Sequence, residues 1–109
     1  MVRAPKRDEV WLVSLDPTEG TEIPKTRPCL VVSPDEANIY LRTVIIAPMT
    51  TVERSYPTRV SISFAGRRGQ VALDQIRAVD RNRLVRKLGA ASPKTVESVS
   101  SVLVEMFTR

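Results

Sequence analysis

The sequence predicts a mainly β domain: a small, strongly bent antiparallel barrel carrying one C-terminal helix. Three features point to it. Short runs alternate apolar and polar residues, as in VWLVSL at 10–15 and TRVSISF at 58–64. Turn segments rich in proline, glycine and threonine separate them, and an apolar stripe of helical period closes the chain. With 109 residues and 42% apolar content the chain is one domain's worth, enough to fill one core, so 1–109 is taken as a single domain.

Taking the elements in order, Trp11, Val13 and Leu15 share one face of a first strand. The next eleven residues, DPTEGTEIPKT, suit neither strand nor helix and form a long loop, a kind of segment that often carries function. Cys29–Ser33 is a second strand, Thr43–Ala47 a third, and Thr58–Phe64 a fourth with Val60, Ile62 and Phe64 on one face. AGRRG at 65–69 is a turn, strands resume at Gln70–Leu73 and Ile76–Val79, and RNRLVRKLG holds a helical turn and another short strand. Ser92 is a fitting N-cap with Pro93 at the first helical position, and Val96, Val99, Leu103 and Met106 recur at helical spacing.

Composition narrows the chemistry. There is no histidine and a single cysteine, Cys29, inside an apolar run. Neither a zinc site of the usual kind nor a Cys/His or Ser/His nucleophile system can be assembled, so acid–base work falls to carboxylates, arginine, lysine or hydroxyls. No metal site and no cofactor is expected. A lone buried thiol indicates a reducing compartment. Apolar runs fall far short of the roughly 20 residues that span a bilayer, and the N-terminus has no apolar signal segment, so the expected location is the cytoplasm with no membrane partner. The net charge of +5 is concentrated: eight cations against two anions between Arg59 and Lys87 give that third +6. Such a surface attracts polyanions, nucleic acid above all, by counterion release.

Four segments stand together: VWLVSLDPTEGTE at 10–22, KTRPCLVVS at 25–33, IIAPMT at 45–50 and VALDQIRAVD at 71–80. In this order and spacing they resemble the MazF/PemK (Kid) family of toxin–antitoxin ribonucleases, from about Glu9 to the C-terminal helix. The resemblance implies an SH3-like barrel of the CcdB/PemK kind, working as a homodimer. It implies metal-independent cleavage of single-stranded RNA at short sequences, stopping translation and growth until a cognate antitoxin binds.

By the same resemblance the catalytic arginine, which precedes a proline at the start of the second strand, is Arg27, and its hydroxyl partner at the close of the third is Thr50. The RNA's own 2′-OH attacks the adjacent phosphate, leaving a 2′,3′-cyclic phosphate and a 5′-OH. A guanidinium grips two phosphate oxygens in a fork, and stabilising developing negative charge is commonly the largest catalytic contribution. Arginine, with a pKa above roughly 12, is a poor base in water, so either the site perturbs Arg27 strongly or a carboxylate assists, Asp74, which matches the acidic position of PemK-type members, or Glu22; the sequence leaves the choice among the three open. Lys25, Thr51, Arg59, Gln75 and Arg77 are the candidate RNA contacts.

The chain also departs from the family pattern. PemK-type members pair the aspartate with an arginine and use a loop histidine, where this chain has Ala72 and Thr21, which favours the Arg27/Thr50 scheme. Asp8 replaces a glycine before the first strand, a change expected to touch a turn. Two rivals stand beside the nuclease: a CcdB-like gyrase poison, opposed by the ending Met106-Phe107-Thr108-Arg109, and a nuclease-dead RNA-binding homologue. A structural alternative for Arg27 is an ion pair with Glu22 or Asp74.

Overall fold

The computed structural model describes residues 3–109. Seven strands and two helices follow in the order β1 (Glu9–Ser14), β2 (Thr26–Val31), α1 (Asp35–Tyr40), β3 (Thr43–Thr50), β4 (Arg59–Phe64), β5 (Arg67–Ala72), β6 (Arg77–Asp80), β7 (Leu84–Ala90) and α2 (Pro93–Phe107). All pairings are antiparallel. The sheet runs β4-β5-β3-β2-β1-β7, with β6 on β3. The result is a curled, mostly β half-barrel with a C-terminal helix, the fold class expected.

The longest strand, β3, is the hub. It pairs with β6 over Thr43–Ile46, with β2 over Ile46–Pro48, and with β5 through Met49 and Thr50. A strand that changes partners along its length bends the sheet, and two register slips between β1 and β7 add curl. Because the central strands are covered on both faces, two apolar clusters form. Val10, Leu30, Ala47, Val60, Ile62, Val71 and Leu73 meet Val99 of α2, while Trp11, Val13, Leu15, Cys29, Val31, Val44, Ile46 and Val79 fill the other side.

β1 and β4 lie where the alternation puts them, and α2 begins as expected: the Ser92 hydroxyl accepts the Thr95 N–H at 3.3 Å, with Pro93 in the first turn. Val99, Leu103 and Met106 face the core, joined by Thr95 and Val102. Other boundaries move. β2 starts three residues earlier than expected, because Pro28 lies where pairing to β3 has not yet begun and its missing N–H disturbs only one neighbour. β3 runs on past Ala47 to Thr50. Of AGRRG only Ala65 and Gly66 turn, both with positive φ (51° and 77°), so Phe64 pairs with Arg67 across a two-residue loop and β5 begins there. Leu73 lies in a 3-10 turn over Leu73–Gln75 rather than in a strand, and β6 is Arg77–Asp80. The expected helical turn is the 3-10 segment Arg81–Arg83, and the short strand after it is the seven-residue β7.

Helix α1 had no sequence signal. It is held by a buried polar knot: the Ser33 hydroxyl donates to Asn38 Oδ1 (2.6 Å) and accepts the Ile45 N–H (3.0 Å), while Asn38 Nδ2 donates to the Ser33 carbonyl (3.0 Å). Among the described residues no helix is long and apolar enough to cross a membrane.

Candidate active site

The β2–β3 ladder stops at Cys29↔Pro48. Continued by two positions, the same register sets Arg27 opposite Thr50, yet there β3 has already turned to β5, where Thr50 pairs with Gln70. The two prolines, Pro28 and Pro48, carry no N–H to extend the ladder. A wedge therefore opens between β2 and β3, with Arg27 on one lip and Thr50 on the other. Both line a cavity of about 490 Å³ walled mostly by polar residues and a more apolar one of about 470 Å³.

Arg27 is half-buried, and its Nε–H donates to the Pro24 carbonyl at 2.9 Å. It takes part in none of the ion pairs among the described residues, which answers the structural alternative: neither Glu22 nor Asp74 holds it. The bond through Nε leaves both terminal amino groups available for an anion. Thr50 is 92% buried by the measure of its 8% exposure, and its hydroxyl accepts the Val52 N–H at 3.1 Å, so its own proton can be donated elsewhere.

The polar cavity is walled by Glu22, Arg27, Thr50, Arg54, Tyr56, Arg59, Asp74 and Gln75, among others, so all four candidate catalytic residues meet there. The long loop is pinned beside it. Gln75 accepts the Ile23 N–H (2.8 Å) and donates to the Thr21 carbonyl (3.3 Å), Arg77 donates to the Leu15 carbonyl (3.3 Å), and Arg83 donates to the Ser14 carbonyl (3.3 Å) and to that of Asp16. Gln75 and Arg77 thus spend side-chain polar groups on loop backbone. Lys25, exposed, sits at φ 72° with its N–H on Asp16 Oδ1 (3.0 Å). Glu22 is exposed, with Oε1 accepting the Glu19 N–H at 2.6 Å. Thr51, also exposed, lines the more apolar cavity.

Asp74 is engaged differently. Arg59 donates to it through Nε (2.8 Å) and Nη2 (3.3 Å), and the Thr58 hydroxyl adds a third bond (3.0 Å). Burial alone raises its carboxyl pKa, but these bonds, with one from backbone, outweigh that and hold the group below the ordinary aspartate range. Arg59 keeps only 7% side-chain exposure and lies over the Tyr56 ring, 5.2 Å from its centroid. Much of the cationic third is likewise spent internally: Arg81 donates to the Asn38 carbonyl and Lys87 pairs with Glu9. Arg67 and Arg68 are exposed and border the more apolar cavity next to Arg27. Sequence reasoning had placed them in a turn; the Ala65-Gly66 pair was the signal that they begin a strand.

Residues 6–107 match the family model described as PemK-like, MazF-like toxin of type II toxin–antitoxin system. The chain belongs to this family. An endoribonuclease MazF of Staphylococcus saprophyticus is 33% identical over 104 residues, spanning 90% of this chain and 87% of the relative. An endoribonuclease PemK of Escherichia coli is 38% identical over 96 residues, 84% and 72% of the two chains. Among solved structures, MazF of Deinococcus radiodurans superimposes with a TM-score of 0.84 at 26% identity, covering 96% of this chain and 97% of that one. A mycobacterial endoribonuclease in complex with its cognate antitoxin gives 0.79 at 26% identity, covering 94% and 93%. The family's toxin domain therefore accounts for nearly the whole chain.

Proposed function

We propose that this protein is an endoribonuclease toxin that cuts single-stranded RNA by transesterification in the wedge between β2 and β3. The observation that carries the reading is Arg27, an arginine on a cavity wall with no carboxylate partner, beside a hydroxyl that keeps its proton. Arg27 grips two non-bridging phosphate oxygens and Thr50 donates to one of them as charge develops. Of the two carboxylates, Glu22 has one oxygen without a protein partner, whereas Asp74 is doubly bonded by Arg59 and is the weaker base for it. Glu22 therefore takes the 2′-OH proton. The 2′-oxygen bonds to phosphorus, the bond to the 5′-oxygen breaks, and that oxygen leaves with a proton drawn from water. Asp74 fixes Arg59, and Lys25, Thr51, Gln75 and Arg77 border the path of the strand.

A cognate antitoxin with an acidic extended segment fits the cationic rim formed by Lys25, Arg27, Arg67 and Arg68, and would compete there with RNA. Ile39, Tyr40 and Leu41, exposed by 60%, 84% and 53%, support pairing with a second copy of the chain in the cytoplasm. The deciding experiment is incubation of purified protein with a long RNA in EDTA and mapping of the ends. Discrete cuts bearing 5′-OH and 2′,3′-cyclic phosphate are expected; cleavage that requires added magnesium would overturn the scheme.

A further inference from the structure

Tyr56 has no part in the chemistry just described, yet the residue is 50% exposed and lines the polar cavity with Arg27, Thr50 and Asp74. The ring is held in place from below. Arg59 lies over one face with Cζ 5.2 Å from the centroid, and Asp74 clamps that guanidinium through two bonds. The backbone is fixed as well. The Arg59 N–H donates to the Tyr56 carbonyl at 3.1 Å, closing a turn with Pro57 at its second position, where a fixed φ suits it. The nearly buried Arg59 guanidinium thus links the exposed Asp74 carboxylate to the Tyr56 ring, which borders the cavity.

Resting on the nuclease reading, we infer that Tyr56 is a base-stacking platform: a nucleobase next to the scissile phosphate lies on its free face while Arg27 holds the phosphate. Several properties suit it to this. An aromatic ring already supported on one side loses little freedom when a base covers the other, and stacking accepts any base because each presents a π-face. The guanidinium beneath polarises the ring without competing for the same face. The arrangement also gives the Arg59–Asp74 pair a purpose at a site where its carboxylate is too well bonded to serve as a base. Tyr56 is then a specificity and binding residue, and Arg59 a positioning residue acting through it.

The test begins from a cleavage site mapped on a long RNA, then uses short RNAs carrying that site with a single abasic ribonucleotide at each position in turn. Wild-type protein should lose about 10-fold in kcat/KM, mainly through KM, when the abasic residue falls at one position flanking the cut. Tyr56→Ala should show a similar loss on intact RNA and no further loss at that position, while Tyr56→Phe should behave as wild type. A 2-aminopurine placed there should be quenched on binding wild type and Tyr56→Phe but not Tyr56→Ala. If Tyr56→Ala stays as sensitive to the abasic residue as wild type, or quenches the probe equally, the platform is refuted while the nuclease stands. If wild type cuts no RNA and binds none of the short RNAs, the nuclease reading itself falls and the platform with it.

Discussion

Arg27 and Thr50 fall opposite one another two positions beyond the last β2–β3 pair, in the register set by Cys29↔Pro48, where the ladder has already parted. In an intact ladder both residues would have their backbone groups committed to neighbours. Parting the strands frees both side chains while the backbones on either side stay held by β1 and β5. The arrangement is rigid scaffold with an open seam, and under the proposed scheme it presents Arg27 and Thr50 to a substrate as charge-stabilising groups.

Arg27→Ala should abolish cleavage and leave the fold nearly intact, since the side chain gives up one hydrogen bond to Pro24, worth about 1 kcal/mol, and no ion pair. Arg27→Lys should fail comparably, because an ammonium cannot hold two phosphate oxygens in a planar fork. Thr50→Val should cost less, on the order of 3 kcal/mol of transition-state stabilisation. Cleavage rates alongside thermal melts check all three; a large fall in melting temperature for Arg27→Ala would show that its role is structural.

Gly69 supports Thr50 from behind. A Cβ built there would sit 2.6 Å from the Thr50 carbonyl oxygen, a contact with backbone that no rotamer change relieves. Gly69→Ala should therefore push β5 away from the end of β3, lowering stability by about 1–3 kcal/mol and cutting activity by more than the fraction unfolded accounts for. Measuring the cleavage rate well below the melting temperature separates the two. Wild-type activity in Gly69→Ala would mean that the Thr50 position tolerates displacement.

How far the sequence reached depended on whether a signal was local. β1, β4 and α2 were legible because their apolar periods are intact and α2 has its own cap. Pro28 obscured β2, since a proline bars a strand only where its N–H is needed, and that depends on a neighbour the sequence does not show. Helix α1 rests on Asn38 bonded to Ser33, whose hydroxyl in turn accepts the Ile45 N–H across the turn into the next strand. The seven-residue β7 carries Val85, Arg86 and Lys87, all exposed, which masks strand character on an edge. Arg27 and Thr50 stand out in the sequence through their motifs, and they line one cavity. The Arg59–Asp74 pair does not, because its members stand 15 residues apart and meet only through the β4–β5 hairpin, which sets Arg59 against Ala72.

That pair should dominate one part of the acid response. The folded state holds the Asp74 carboxyl below its ordinary range, so the bridge contributes stability above about pH 4 and loses it as the pH falls through the lowered value. Asp74→Asn leaves the nearly buried Arg59 guanidinium without its counter-charge and should cost on the order of 1–3 kcal/mol at pH 7. The deficit should shrink as the pH falls through the lowered Asp74 value, where wild type loses the same contribution. Melts of both proteins across that range test it; a gap constant with pH would place the loss in packing rather than charge.

Asp8 should respond with the opposite sign. Its φ of 74° is the left-handed conformation that glycine adopts freely and aspartate or asparagine tolerates, which fits the glycine that the family resemblance expects there. Both backbone groups are used, the N–H on the Val31 carbonyl and the carbonyl receiving the Ala91 N–H, each at 2.9 Å, so the strained turn ties the start of β1 to β2 and to the approach to α2. Burial pushes the carboxyl above its usual range; Arg7 offsets part of this and Asp35 adds to it. A folded-state pKa above the unfolded one means that folding favours the protonated acid, a preference complete below the unfolded value near 4 and lost as the pH rises through the folded one. Asp8→Asn keeps the tolerance for positive φ and removes the charge, so its melting temperature should exceed that of wild type at pH 7 and the advantage should close toward pH 3. Asp8→Ala keeps neither and should be less stable than Asp8→Asn by about 1 kcal/mol at every pH. An Asp8→Asn variant that melts below wild type at neutral pH would show that the carboxylate makes a favourable contact outweighing its burial.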